Sequence, residues 1–263
     1  MSECPQMQLA GWLLLAIYPL IWLIDLSWWQ LAPDVLIIVG ILPLAWFLSR
    51  RAGVSDKSPD RRPGLTKVAV LLLAVGILLN QFSLMAFAWS WLATDYIFPV
   101  TKLSRARLWV LCTGAFPWIL VEGQRVGWYF RRTGADLTVW LYDLLNYEVT
   151  GGGTLLEIEG LPISVETACS GLQLLQVLLS GGIALTLIRF PKEPGFWCML
   201  ALLPVLAWFA NTVRIIVISA WGLKFGAEAA SGAFHTWGAL IVVLSMLGAY
   251  VVCARLFSKC FRT

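Results

Sequence analysis

The chain has 263 residues, of which 59% are hydrophobic and only 13% are charged, and its mean hydropathy is +0.79. This composition excludes an ordinary soluble domain and predicts a single all-α polytopic membrane domain over residues 1–263. The formal net charge of +4 does not indicate a nucleic-acid partner, because the basic residues form short clusters between apolar segments, as membrane orientation requires.

Apolar runs that approach the length of a membrane span recur along the chain and predict its helices. Residues 1–10 have no basic residue before the first run, and no small-x-small cleavage signal follows that run, so we expect the first helix to be retained. The third run is long enough to turn near Asn80–Gln81 and cross twice; one long tilted helix is the alternative. The runs cover residues 9–24, 35–48, 68–100, 108–122, 170–188, 196–220 and 235–257.

Basic clusters between these runs predict the orientation of the helices. If the positive-inside rule places all of the clusters in the cytoplasm, run 68–100 must cross twice, which gives about eight transmembrane helices with both termini inside. The helices of residues 1–122 then precede an extracytoplasmic segment, residues 123–168, and a three-helix region, residues 169–263. The clusters are Arg50, Arg51, Lys57, Arg61 and Arg62; Lys102, Arg105 and Arg107; Arg189 and Lys192; and Arg255, Lys259 and Arg262.

The extracytoplasmic segment carries its own secondary-structure signals. Residues Leu137 to Val149 show near-helical spacing of apolar residues, which favours an amphipathic helix lying flat on the membrane. Gly151–Gly153 is interpreted as a turn, since no Lys-Ser or Lys-Thr follows it to make a phosphate loop. Residues Thr154 to Val165 alternate like one or two short strands that end near Cys169.

Cysteine and histidine usage argues against a metal site. The six cysteines are scattered without a C-x-x-C pair, and His235 is the only histidine, so we expect no metal and no cofactor. Most of the thiols lie in or beside apolar runs, where cysteine usually packs as a small hydrophobic residue. Cys169 differs because it stands where a polar segment gives way to a membrane-length apolar run.

Three reactive side chains are predicted to share the outer side of the membrane: Cys169, Arg214 and His235. The start of a helix and a nearby cation both favour a thiolate, a guanidinium stabilises an oxyanion without titrating, and an imidazole carries protons. Arg214 precedes the end of its apolar run at Ala220 by six residues, so we expect it roughly 9 Å below the outer end of its helix. The structural alternative for Arg214 is an ion pair with a carboxylate such as Glu166 or Glu228.

The sequence around these residues resembles the exosortase/archaeosortase family. The resemblance rests on Glu-Thr-Ala-Cys-Ser-Gly-Leu-Gln at 166–173, Asn-x-x-Arg at 211–214 and the later His235, and it is specific from about residue 137 to 244. Family members are multi-pass membrane proteins regarded as cysteine transpeptidases. The resemblance implies that Cys169 is the nucleophile, Arg214 the transition-state stabiliser and His235 the acid-base group. It also implies that Glu166, Ser170, Gly171 and Asn211 form the motif surroundings.

The resemblance further implies substrates, partners and location. Substrates would be exported proteins anchored by a C-terminal sorting signal, made of a short motif such as Pro-Glu-Pro, a membrane helix and a basic tail. The chain would lie in the cell membrane with its site facing outward, among membrane lipids, and would transfer the substrate to an unidentified acceptor. In this topology Arg125, Arg131 and Arg132 lie outside and would contact either an acidic sorting motif or lipid headgroups.

Two other functions remain open from the residues themselves. One is an acyl or glycan transferase that forms a thioester on Cys169 with lipid-linked substrates. The other is a non-enzymatic transporter in which Arg214 recognises an anion and His235 couples protons. A transporter has no need of an activated thiol, so the reactivity of Cys169 toward a membrane-impermeant alkylator distinguishes it from both enzymes.

Overall fold

The computed structural model describes residues 5–24, 35–51, 53, 63–98, 101–165, 172–190, 193–226 and 233–260. It is mostly helical and divides into two compact units. Unit 1 contains residues 1–122 and 183–188, and unit 2 contains residues 123–182 and 189–263. The helices of unit 1 are α1 (Pro5–Leu23), α2 (Val35–Arg51), α3 (Pro63–Leu78), α4 (Phe82–Tyr96), α5 (Arg105–Thr113) and α6 (Trp118–Glu122).

Helices α3 and α4 form an antiparallel hairpin. The chain reverses at Asn80, whose φ of 53° lies in the left-handed region that asparagine tolerates better than most residues. Near the other end of the pair, the Thr66 hydroxyl donates a hydrogen bond of 2.8 Å to the Asp95 carboxylate. The predicted turn near Asn80–Gln81 is therefore confirmed, and the alternative of one long helix over residues 68–100 is wrong.

The described basic residues of the two clusters in unit 1 lie at one end: Arg50 and Arg51 in the first, and Lys102, Arg105 and Arg107 in the second. The N–H of Lys102 donates to the carbonyl of Gly53, just after Arg51, at 3.1 Å. Arg105 forms a 3.2 Å ion pair with Asp95 at the end of α4. The end of α2, the start of α3, the end of α4 and the start of α5 therefore share one end, which we call the basic end of unit 1, as the predicted orientation requires.

Helix α1 runs antiparallel to α4 and begins at the same basic end. A Cβ on Gly11 would lie 3.0 Å from the Tyr96 carbonyl oxygen, while further along α1 the Trp89 indole donates to the Leu14 carbonyl at 2.9 Å. The Tyr18 hydroxyl donates to the Ala115 carbonyl at 2.7 Å. Aromatic contacts around these bonds form the core of unit 1, with Tyr18, Phe82, Trp89 and Phe116 as members.

The apolar run 108–122 is not one continuous helix, contrary to the prediction of one crossing helix. Helix α5 ends at Thr113 and α6 begins at Trp118, because Pro117 lacks an N–H and disfavours helical geometry at the residue before it. Glu122 at the end of α6 accepts a 3.2 Å hydrogen bond from the Ser83 N–H at the start of α4. Residues 114–122 therefore reach the end of unit 1 that lies opposite the basic end.

Unit 2 contains α7 (Gln124–Leu144), three short strands, and the long helices α9 (Glu193–Phe225) and α10 (Ala233–Cys260). Helix α8 (Leu172–Arg189) belongs to unit 2 except for residues 183–188, which belong to unit 1. Within the described ranges, the stretch Pro194–Phe225 alone is long and apolar enough to cross a membrane on length and composition. Shorter apolar helices cover Leu9–Ile21, Gly64–Leu78, Leu178–Arg189 and Leu244–Phe257. Eight crossings therefore stay a prediction.

Helix α7 is longer than predicted and begins earlier. Residues Leu137 to Leu144 of the expected amphipathic helix form the second half of α7, which starts at Gln124. The predicted end at Val149 is wrong, because α7 ends at Leu144 and Val149 begins the first strand. Apolar periodicity does not reveal the first half because its buried side consists largely of small residues. The buried positions of α7 are Gly127, Gly134, Ala135, Thr138 and Tyr142.

The strands β1 (Val149–Gly152), β2 (Leu155–Ile158) and β3 (Leu161–Ser164) form an antiparallel sheet in the order β1-β2-β3. The predicted strands before Cys169 are present, but the interpretation of Gly151–Gly153 as a turn is wrong for its first two residues. Gly151 and Gly152 belong to β1, and the turn lies at Gly153–Thr154. Gly151 has a φ of 145°, and a Cβ there would meet the Leu155 carbonyl oxygen, so pairing with β2 requires glycine.

We expect Asp95→Asn to destabilise unit 1 by about 2–3 kcal/mol. Asp95 is buried, so the substitution leaves the Arg105 guanidinium without its counter-charge; partial exposure of Arg105 moderates the loss. The measurement is thermal unfolding of the purified protein in detergent. Asp136→Asn is the matched control, because the Arg132–Asp136 pair is exposed and 3.9 Å long. Equal midpoints for the two variants would contradict a stabilising role for Asp95.

Candidate active site

Helix α9 carries two of the predicted site residues one turn apart. Asn211 is buried, with 1% of its surface exposed, and Arg214 is half-buried. The helix continues to Phe225, eleven residues beyond Arg214, so the predicted depth of roughly 9 Å is wrong and the distance to the helix end is about 16 Å. The predicted depth is wrong because the helix does not stop with the apolar run at Ala220. It ends at Phe225, and the next residue, Gly226, has a φ of 90°, as is common just after a helix.

His235 is the third residue of α10, so the prediction that the last helix starts near His235 is confirmed. The position of its side chain lies outside the described part of the chain. Only residues 226–232 separate α9 from α10, and a short connection of this kind joins antiparallel neighbours. The start of α10 is therefore on the same side of unit 2 as the end of α9.

Helices α8, α9 and α10 meet at Gly182, Leu203 and Tyr250, which therefore lie at one common level of unit 2. The Tyr250 hydroxyl of α10 donates a 3.2 Å hydrogen bond to the Gly182 carbonyl of α8. A Cβ on Gly182 would lie 2.5 Å from a methyl of Leu203 on α9. Phe190, just after α8, packs on Gly195 near the start of α9. Gly182 and Leu203 each lie eight residues from this contact, so α8 and α9 are antiparallel.

Counting along the helices from this level brings the site positions to one end. Leu172 precedes Gly182 by ten residues, or about 15 Å, and Arg214 follows Leu203 by eleven, or about 16 Å. His235 precedes Tyr250 by fifteen residues, or about 22 Å. The start of α8, the Arg214 turn of α9 and the start of α10 therefore occupy the same end of unit 2.

The predicted nucleophile Cys169, with Glu166, Ser170 and Gly171, lies outside the described residues. Its two flanks are described and buried. Val165 donates through its N–H to the Thr154 carbonyl at 2.9 Å and packs in a cluster with Ala135, Leu156 and Ile215. Ile215 is the neighbour of Arg214, so Val165, the last described residue before Cys169, lies close to the arginine turn. Four residues of extended chain reach at most about 14 Å beyond Val165.

Helix α7 packs on α9 around the same turn, a contact that the sequence analysis did not predict. A Cβ on Gly134 would lie 3.0 Å from Ile215 Cδ1 and 3.2 Å from Thr212 Oγ1. The Trp208 indole donates to the Thr133 hydroxyl at 2.8 Å. The available signal was the stripe of small residues at Gly134, Ala135 and Thr138, which is typical of close helix packing in membranes.

Tyr142, near the end of α7, also contacts α9. Its hydroxyl donates to the Ile216 carbonyl at 3.1 Å. Burial, with a smaller contribution from nearby Tyr147, raises the pKa of Tyr142, because desolvation disfavours the phenolate. The hydroxyl therefore remains protonated and able to donate at neutral pH.

The three arginines predicted to contact substrate or lipid lie on α7. Arg125 and Arg132 are exposed, and Arg131 is partly buried. Arg132 stacks over the Trp128 ring at 5.4 Å and pairs with Asp136, so its described contacts lie within its own helix. Among the described residues, no cluster of three His, Cys, Asp or Glu side chains is suited to a metal. The expected absence of a metal or cofactor stays a prediction.

Comparison with known proteins identifies the family. A family model described as transmembrane exosortase matches residues 28–251. The match covers most of the chain, so the chain belongs to the transmembrane exosortase family. The family resemblance predicted from the sequence is therefore confirmed. No curated protein and no solved structure matches the chain. Membership makes it a mostly helical membrane protein.

We expect Gly134→Val to destabilise unit 2 by about 2–3 kcal/mol, because the added methyl groups force α7 away from Thr212 and Ile215. Thermal unfolding in detergent measures the change. Gly248→Val in α10 is the matched control, since a Cβ at Gly248 meets nothing within 4 Å. Wild-type midpoints in both valine variants would contradict close packing of α7 on α9 at Gly134.

Proposed function

We propose that this protein is a membrane cysteine transpeptidase that cleaves the C-terminal sorting signals of exported proteins and transfers the cleaved proteins to an acceptor. Family membership supports the general activity. The single observation that carries the proposal for this chain is the buried cluster that Val165 shares with Ile215, because it brings the last described residue before Cys169 close to the Arg214 turn. Cys169, Arg214 and His235 are the proposed catalytic residues.

The proposed reaction begins when His235 accepts the Cys169 proton and the thiolate attacks the carbonyl carbon of the scissile peptide bond. A carbon–sulfur bond forms, and the carbonyl electrons move to oxygen, where the Arg214 guanidinium stabilises the negative charge. The carbon–nitrogen bond then breaks as His235 protonates the leaving amine, which leaves a thioester on Cys169. An acceptor nucleophile gives its proton to His235, opens the thioester and restores the thiol.

We further propose eight membrane crossings with the catalytic residues facing outward. Shared placement of the basic segments around Arg51 and Lys102 at one end of unit 1 supports this orientation. A substrate held by its own membrane helix, with a motif such as Pro-Glu-Pro outside, would reach the site by diffusion in the membrane plane. Arg125, Arg131 and Arg132 on α7 are proposed to contact the acidic motif or lipid headgroups.

Cys169→Ala is expected to abolish processing of a tail-anchored reporter that carries a Pro-Glu-Pro motif, a membrane helix and a basic tail. Mass spectrometry of the reporter's C-terminus after co-expression measures the outcome, and the mass separates hydrolysis from transfer. Cys198→Ala is the control, because Cys198 is an exposed thiol near the opposite end of α9. Processing that persists in Cys169→Ala would eliminate the proposed nucleophile.

Arg214→Lys is expected to lower the processing rate about 10²- to 10³-fold, the usual effect of losing an oxyanion-stabilising donor. A lysine keeps the charge but not the planar fork of donors. The same mass-spectrometric assay, followed over time, measures the rate. Arg189→Lys, at the exposed end of α8, controls for a general effect of the substitution. A wild-type rate in Arg214→Lys would assign the arginine a structural role.

A further inference from the structure

Hydrogen bonding within the sheet determines which backbone groups of β3 point outward. The Val165 N–H donates to the Thr154 carbonyl, so these two residues form a hydrogen-bonded pair. Pairs alternate along an antiparallel ladder, and Ser164 is paired with Leu155 without such bonds. The N–H and carbonyl of Ser164 therefore point away from β2, as does the carbonyl of Pro162.

Pro162 agrees with this assignment. A proline has no N–H to give to a ladder, so it is tolerated at an edge position where the N–H would point outward. Register places Pro162 opposite Glu157, two residues from the Ser164–Leu155 pair and with the same orientation. In the part of the chain that the structure describes, β3 is an outer strand of the sheet, and both Pro162 and Ser164 are exposed.

The outer edge of β3 thus offers a short and defined set of groups. It has one donor, the Ser164 N–H, and two acceptors, the carbonyls of Ser164 and Pro162. The other outer strand, β1, packs beside α7, whereas β3 packs beside α9 and precedes Cys169 in the sequence by five residues. One face of β3 is held in place, because the Ile163 side chain packs on the cluster that includes Ile215.

We propose that the outer edge of β3 binds the extended backbone of the substrate's sorting segment as an added strand. This inference rests on the proposed function. Strand addition gives main-chain hydrogen bonds without demanding particular side chains, and it holds a peptide extended for attack. Ser164 precedes Cys169 by five residues, a span of at most about 17 Å, so the paired substrate residues lie within about five of the scissile bond.

The test compares Ser164→Pro with Ser164→Ala, using the tail-anchored Pro-Glu-Pro reporter and purified protein in liposomes. Both variants lose the hydroxyl, but only proline removes the outward N–H. The sheet tolerates proline in this orientation, since Pro162 already occupies an equivalent position in β3. We expect the apparent KM of Ser164→Pro to be several-fold to about tenfold higher than that of Ser164→Ala, because only the proline variant loses the N–H, while the kcat values of the two variants agree. Equal KM values for the two variants would overturn the inference.

A second measurement does not depend on the folding of the Ser164→Pro variant. Single prolines are placed at each of the five reporter positions on either side of the scissile bond. Strand pairing predicts that poor and good substrates alternate with a period of two on one side of the bond, because alternate N–H groups face β3. A scan without alternation on either side overturns strand addition. Processing that survives Cys169→Ala would instead refute the proposed function itself, so the two failures are distinguishable.

Discussion

An arginine within an apolar helix is costly unless its surroundings are arranged for it, and unit 2 is organised around the turn that carries Arg214. Small residues of α7 allow that helix to approach α9 there, as the 3.0 Å position of a Gly134 Cβ against Ile215 shows. The sheet adds Val165 and Leu156 to the same cluster. The proposed catalysis depends on this packing, because an oxyanion stabiliser is effective only when it is held in position before the charge develops.

In unit 1, by contrast, interactions of a buried carboxylate hold charged segments at one end of the helices. Asp95 is buried yet carries both an ion pair to Arg105 and a hydrogen bond from Thr66. Three helices therefore meet at a single carboxylate. The aromatic contacts of Tyr18, Trp89 and Phe116 fill the space beyond it. Charge at one end and aromatic packing in the middle together fix the direction of each helix.

The sequence predicts those features that depend on local composition. The turn at Asn80 interrupts an apolar run with polar residues, and the strands before Cys169 alternate, so both were recognisable. Pro117 splits an apolar run and was a usable signal that run length obscured. The start of α7 and the strand character of Gly151 were not predictable, because they depend on close packing and on pairing with β2 rather than on apolar spacing.

The candidate site was predictable to a similar degree. Residue order and helix direction place Arg214 and the start of α10 at one end of unit 2, and the structure agrees on both. Its depth was wrong because a helix ends where its hydrogen bonds end, at Gly226, and not where its apolar residues stop. Cys169 lies outside the described residues, so its geometry stays a prediction.

The 33 residues of α9 give a rod about 50 Å long, well beyond the roughly 30 Å of bilayer hydrocarbon. Arg214 lies 21 residues from the start of the helix at Glu193, about 32 Å along it. If α9 begins at the inner surface and stands upright, Arg214 therefore lies near the outer boundary of the hydrocarbon. Under the proposed function, this length sets how far from the inner surface a peptide bond must lie to meet Arg214, so the membrane helix of a substrate would have to match it in length.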